Sequence, residues 1–170
     1  MEKIRTAFER SATALARRPS LGRSTGVSRA RIRHGLTCQI EEGPWKLVAD
    51  MPAQAGGDAA APTPGVFGRA ALGSCLAIGY MMRAAKLGVP ITTLEVEVQS
   101  DSDDGALFGV SDSPPGYLEV RYTVTVESVA PESDVLRVLD EGDAHSPYLD
   151  VFQRAQPCKR SVRIVSPDEV

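Results

Sequence analysis

Hydrophobic and polar positions divide this chain into segments of different period. Between residues 2 and 17, Ile4, Phe8, Ala12 and Leu15 share one stripe while Arg5, Glu9 and Arg10 fall elsewhere, which predicts an amphipathic helix. Pro19 to Gly26 is rich in Pro, Gly and Ser and reads as a linker. Arg29 to Gln39 alternates as a strand, with Ala30, Ile32 and His34 on one side. Glu41-Glu42-Gly43-Pro44 carries turn residues, and Trp45 to Ala49 follows as the return strand of a hairpin. Residues 53–65, rich in Ala, Gly and Pro, are either a plain flexible connection or a lid over a neighbouring site.

The period changes at Thr63, a candidate N-cap, with Pro64 suited to the first helical turn. From Val66 to Leu87 apolar residues occupy nearly every face until Arg83: Phe67, Ala70, Ala71, Leu72, Cys75, Leu76, Ile78, Met81 and Met82. A helix apolar on all sides is expected to be buried on all sides. Gly73, Ser74 and Gly79 are small enough to admit neighbouring backbone. Gly88 can end the helix and Pro90 prevents its resumption.

Ile91 to Gln99 alternates strictly, Leu94, Val96 and Val98 against Glu95, Glu97 and Gln99. Tyr117 to Val129 repeats the pattern, with Leu118, Val120, Tyr122, Val124 and Val126 on one face. An antiparallel pair is expected, joined by an acidic loop from Asp101 to Gly116. Pro131 opens a helix over Glu132 to Glu141, Pro147 another to Gln156, and Ser161 to Val165 reads as a closing strand.

The sum is α+β, with antiparallel or mixed sheets around a buried central helix. The division is an N-terminal helical extension and linker, residues 1–28, and a main domain, residues 29–170. One short chain with thin sheets has little with which to cover an apolar helix all round, so a homodimer is expected.

Length and composition change this picture only at the edges. The 170 residues suit one domain, 42% apolar and 24% charged, with aromatics at 5% leaving the core to aliphatic packing. No stretch reads as long and apolar enough for a bilayer span, and Met1 to Arg18 lacks the apolar run of a secretory signal, so a cytoplasmic protein is expected. Residues 1–34 carry nine Lys/Arg against two Asp/Glu, and the remainder ten against twenty. Such an arm can touch nucleic acid or an acidic partner, dock on the acidic body, or stay solvated; no nucleic-acid motif accompanies it.

Three cysteines stand at 38, 75 and 158, with no CxxC pair, and His34 and His145 are not at zinc spacing, so neither a metal nor another cofactor is expected. Cys38 reads as an ordinary strand residue. Gly73-Ser74-Cys75 lacks the second glycine of a nucleophile elbow, and Asp101, Asp103 and Asp104 do not match a calcium loop. Cys75 alone reads either as a small apolar core residue or as a reactive thiol.

The order of elements, the stretch Pro64 to Leu76 ending in Gly-Ser-Cys-Leu, and the late Pro157-Cys158 together resemble the OsmC/Ohr family over roughly residues 30–165. The resemblance implies an intertwined homodimer with active sites at the subunit interface. It implies Cys75 as the attacking thiol and Cys158 as the resolving thiol in the reduction of organic hydroperoxides, reset by a small thiol or a lipoylated protein. Phe67, Leu72, Met81 and Met82 are the candidate lining of an apolar substrate pocket. The thiolate needs a positive partner, since burial opposes its charge. In that family a loop arginine supplies it, positioned by a glutamate just after the helix-opening proline. Here Gly65 and Val66 follow Pro64, and Met51 to Thr63 contains Asp58 as its only charged residue. Arg69, roughly 240° around the helix from Cys75, and Arg160, near Cys158, are the remaining candidates. A non-catalytic dimer binding a small hydrophobic ligand is the alternative.

Overall fold

The structure, a computed structural model, describes residues 1–166. In chain order it forms α1 (Glu2–Arg17), β1 (Arg29–Ile32), β2 (Cys38–Glu42), β3 (Trp45–Ala49), α2 (Pro64–Leu87), β4 (Thr93–Ser102), α3 (Asp104–Leu107), β5 (Tyr117–Glu127), α4 (Glu132–Asp143) and α5 (Pro147–Gln153), with 3-10 turns at Pro19–Gly22 and Ala53–Ala55. The strands make two antiparallel sheets, β1-β2-β3 and β4-β5.

Two strand expectations are corrected. Arg29 to Gln39 is two strands, not one, because Gly35 takes a left-handed φ of +57° and turns the chain back. Ile32 then pairs with Cys38, and Cys38 pairs with Ala49. Ser161 to Val165 forms no strand: its alternating apolar residues meet no sheet edge among the described residues, and Ile164 is 92% exposed.

The core is built on one stripe of α2. Leu72, Leu76, Tyr80 and Ala84 recur every four residues and meet Val89, Ile91 and Val138. The inward face of the β4-β5 pair closes over them with Leu94, Val96, Val98, Val120, Tyr122, Val124 and Val126. Gly73 permits the approach of α2 to β4, since a methyl group there would stand 3.3 Å from Val98 Cγ2. Leu118, expected inside, points outward. A bulge at the Asp101–Ser102 end of the ladder skips it and turns Tyr117 inward instead. Tyr117 then stacks on Phe152 of α5 with ring centres 6.0 Å apart, and donates a hydrogen bond to the Gly65 carbonyl at 2.9 Å.

The opposite side of α2 departs from the expected all-round burial. Ile78 is 62% exposed, Met82 and Val66 are exposed as well, and Gly79 has open space beside it. At twenty-four residues α2 also meets the length and apolarity of a membrane span, contrary to the sequence reading. Its other stripe, however, is committed to a packed core. The first sheet packs on little of its own chain and leaves Ile32, Leu47, Val48 and Trp45 exposed. The basic extension is partly anchored: α1 lies against α2, with Phe8 beneath Arg83 and Lys86 at 5.2 and 5.7 Å from its ring centre.

Tyr80 is the tightest point of the core. It is 1% exposed, and a Cβ on Gly142 would lie 2.3 Å from its Cδ1. Gly142→Ala must therefore push a buried ring or α4 aside, and a loss of about 1–3 kcal/mol or more is expected in urea unfolding. A variant as stable as the parent would show that this contact relaxes freely.

Candidate functional site

Cys75 sits in the middle of α2, half-buried, on the face opposite the core stripe that it shares with Ile78, Gly79 and Met82. The stripe follows from helical geometry, because residues three, four and seven apart share a face. The thiol is free. Its sulfur has one hydrogen-bonding partner among the described residues, the Oγ of Ser146 at 3.6 Å. Ser146 caps α5: its Oγ accepts from the Leu149 N–H at 3.3 Å, with Pro147 at the first helical position. The Ser-Pro pair was readable as a helix start. Its approach to Cys75 joins residues 71 positions apart and left no trace in the sequence.

Behind Ser146 lies a polar clamp in which Tyr80 is buried and Tyr122 and Asp143 are half-buried. Tyr80 donates to Asp143 Oδ1 at 2.5 Å, and Tyr122 donates to Asp143 Oδ2 at 2.9 Å. One carboxylate thus ties α2, β5 and the end of α4 together. Burial first, and then the Asp143 carboxylate, push both phenols up, Tyr122 to about 12 and Tyr80 well beyond the usual tyrosine range.

The loop before α2 is organised by another carboxylate. Asp50, at the end of β3, is fully buried and accepts from the backbone N–H groups of Met51, Asp58 and Ala60, and from the Thr37 hydroxyl. These bonds, the one from Ala60 foremost, hold its carboxyl below the usual carboxylate range. Residues 51–60 are therefore wrapped around a fixed anion, and the expectation of a plain flexible connection gives way to a built loop.

The remaining candidates are dispersed. Cys158 is exposed on the segment after α5, its sulfur 3.8 Å from the Gln156 carbonyl, and the two sulfurs are not in contact. Arg69 reaches away from Cys75 to β4, where it donates to Ser100 Oγ at 3.3 Å. Arg160 is exposed beside Cys158. Leu72 is a core residue and Phe67 is half-buried on the first turn of α2. Met81 and Met82 line a groove of about 500 Å³ with Ile4, Ala77, Ile78 and Leu94, beginning one turn beyond Cys75. His145 turns its Nδ1 to the Glu141 carbonyl at 2.9 Å, and His34 lies in the exposed β1–β2 turn.

The family model described as OsmC-like protein matches residues 56–160, from the Asp50-bound loop through both candidate thiols. The chain belongs to the OsmC-like protein family. No curated protein matches it. Among solved structures, an OsmC-like protein from Mycoplasma pneumoniae is similar at 15% identity and a TM-score of 0.64, over 76% of this chain and 88% of that one. An organic hydroperoxide resistance protein OsmC from Legionella pneumophila is similar at 14% identity and 0.58, over 76% and 90%. The organic hydroperoxide resistance protein OhrB of Bacillus subtilis matches at 17% and 0.51, over 76% and 91%. At these identities the likeness is one of fold. Within this OsmC-like chain, Cys75 and the Ser146 cap come from the two elements, α2 and α5, that the fold packs together.

Two pH dependences follow. Asp50 has a lowered carboxyl in the folded state, so its stabilisation is complete above the ordinary carboxylate range and is lost as pH falls through the folded value. Asp50→Asn should melt lower than the parent at neutral pH, with the difference closing in acid; a constant difference would refute this. Tyr122 is raised, so its contribution is intact below its ordinary 10.0 and is lost as pH rises towards about 12. Melting temperature should fall over that interval, and Tyr122→Phe should flatten the fall.

Proposed function

We propose that this OsmC-like chain reduces organic hydroperoxides with a thiol, as a homodimer in the cytoplasm. The observation that carries the reading is the setting of Cys75: a free sulfur on a predominantly apolar helix, with a hydroxyl beside it and an apolar groove beginning one turn away. An apolar groove favours an alkyl hydroperoxide over hydrogen peroxide. Met81 and Met82 are its proposed contacts, with Phe67 and Leu72 framing the helix around the thiol.

In the first step the Cys75 thiolate attacks the terminal peroxide oxygen. The O–O bond breaks, the alkoxide takes a proton and leaves as alcohol, and Cys75 becomes a sulfenic acid. Cys158 then condenses with that sulfenic acid, forming a disulfide and releasing water. A dithiol, small or lipoyl-borne, exchanges with the disulfide and returns both thiols while becoming oxidised itself. Because the two sulfurs stand apart in one chain, the second step needs the segment carrying Cys158 and Arg160 to move towards α2.

The dimer is supported by what one chain leaves uncovered. The Ile78–Gly79–Met82 stripe, which α1 borders only along a groove at Ile4, and the first sheet, where Trp45 is 72% exposed, are apolar surfaces that the described residues leave largely open. A second reading, a non-catalytic dimer that binds a small hydrophobic molecule, draws on one observation: Arg69 is engaged with Ser100, so no guanidinium of α2 attends the thiol.

Cumene hydroperoxide with dithiothreitol or a lipoyl dithiol should be turned over by the parent and not by Cys75→Ser. Cys158→Ser should accumulate a sulfenic acid that dimedone traps, without an intramolecular disulfide. A parent that leaves the hydroperoxide untouched, with Cys75 slow towards alkylation, would refute the enzymatic reading and favour the ligand-binding one. Light scattering should give twice the chain mass, and Ile78→Lys should shift it to monomer; a monomeric parent would remove the dimer.

A further inference from the structure

We infer that Ser146 is the hydrogen-bond donor that prepares the Cys75 sulfur, and that the Tyr80–Asp143–Tyr122 clamp is the device that positions it. This rests on the proposed thiol chemistry but assigns residues outside the thiol pair.

The argument begins with the proton inventory of one hydroxyl. A serine hydroxyl has one proton to give and two lone pairs to receive. Ser146 Oγ receives from the Leu149 N–H, so its own proton is not used by the cap. At 6% exposure the side chain is largely removed from water, and the remaining partner is Cys75 Sγ at 3.6 Å, within the reach of a sulfur hydrogen bond. Either atom can donate while Cys75 is a thiol, but once it is a thiolate only the Ser146 hydroxyl has a proton to give. That donation is stronger to a thiolate than to a thiol, because bonds to a charged acceptor are the stronger class. The same hydroxyl also stands beside the oxygen that the sulfur would acquire.

The position of Ser146 is not left to α5, which is only two turns long. Three residues earlier, Asp143 is fastened by two phenolic protons, one from α2 and one from β5. Tyr80 is itself immobilised against Gly142, and it lies on the same helix as Cys75, five residues on. The helix that carries the sulfur thus also carries one jaw of the clamp that carries the donor, which fixes their separation. On the neighbouring elements Asp150 pairs with Arg154, Arg83 with Glu141, Arg137 with Asp134, Arg69 with Ser100 and the His145 ring with a carbonyl, while Glu132, Asp140 and Lys86 make no hydrogen bond to the sulfur. None of them substitutes for the Ser146 proton.

The test is the rate at which iodoacetamide labels Cys75 in the full-length protein, followed by peptide mass spectrometry at neutral pH and at about pH 10. Cys158 in the same samples serves as the internal standard. Ser146→Ala should slow Cys75 labelling by about three- to tenfold at neutral pH and leave it nearly unchanged in alkali. Ser146→Thr, which keeps the hydroxyl, should restore the neutral rate. Tyr122→Phe, which removes one jaw and keeps the ring, should show the same pH signature at smaller amplitude. A purely structural role predicts the opposite: loss of the cap frays α5, exposes Cys75 and speeds labelling at both pH values. That result, an unchanged neutral rate in Ser146→Ala, failure of threonine to restore it, or an unaltered Tyr122→Phe would each overturn the assignment. Labelling needs no peroxide, so a protein inert to hydroperoxide but showing the pH signature would refute the proposed function alone.

Discussion

The structure depends on one helix that is more apolar than its own chain can cover. α2 presents Leu72, Leu76, Tyr80 and Ala84 to the core, where β4, β5 and α4 close over them. Its opposite stripe leaves Ile78 and Met82 exposed and Gly79 with open space beside it. The hydrophobic free energy of burying that second stripe is on the order of 25 cal/mol per Å² of apolar surface. It is the driving force for association in the proposed dimer. Cys75 lies on that second stripe, half-buried where α5 brings Ser146 against it.

Polar anchors fix the geometry that apolar packing leaves loose. Asp143 joins three elements through two phenols, and Asp50 gathers a loop through three backbone N–H groups and a hydroxyl. A carboxylate withdrawn from water is costly unless its lone pairs are filled, and the buried Asp50 and the half-buried Asp143 both have theirs filled from separate parts of the chain. Each carboxylate is thus stable only when those parts stand in one arrangement. The Asp143 arrangement puts the Ser146 hydroxyl against the Cys75 sulfur, and the Asp50 arrangement sets the chain that enters α2.

Much of the fold was legible from period alone. The amphipathic α1, the apolar α2 and the alternating β4 and β5 lie within a few residues of their expected bounds, because their patterns are long and local. Cys75 was legible as a candidate thiol through Gly-Ser-Cys-Leu after Pro64, and Cys158 through its place after the last helix. Misreadings fell where one residue or a distant partner decides. Gly35 splits a strand, a bulge exchanges Leu118 for Tyr117, and the closing strand at Ser161 to Val165 finds no neighbour.

The sequence by itself determined the elements and the apolar character of the helix bearing Cys75, since both follow from spacing along the backbone. Tertiary structure alone decided which groups meet that sulfur. It brought Ser146 to Cys75 across 71 residues, took Arg69 to Ser100 instead, and joined Tyr80 and Tyr122 on one carboxylate. The physical reason is range. Periodicity records which face of an element turns inward, whereas a hydrogen bond depends on the relative placement of elements, which packing fixes only when the chain has closed.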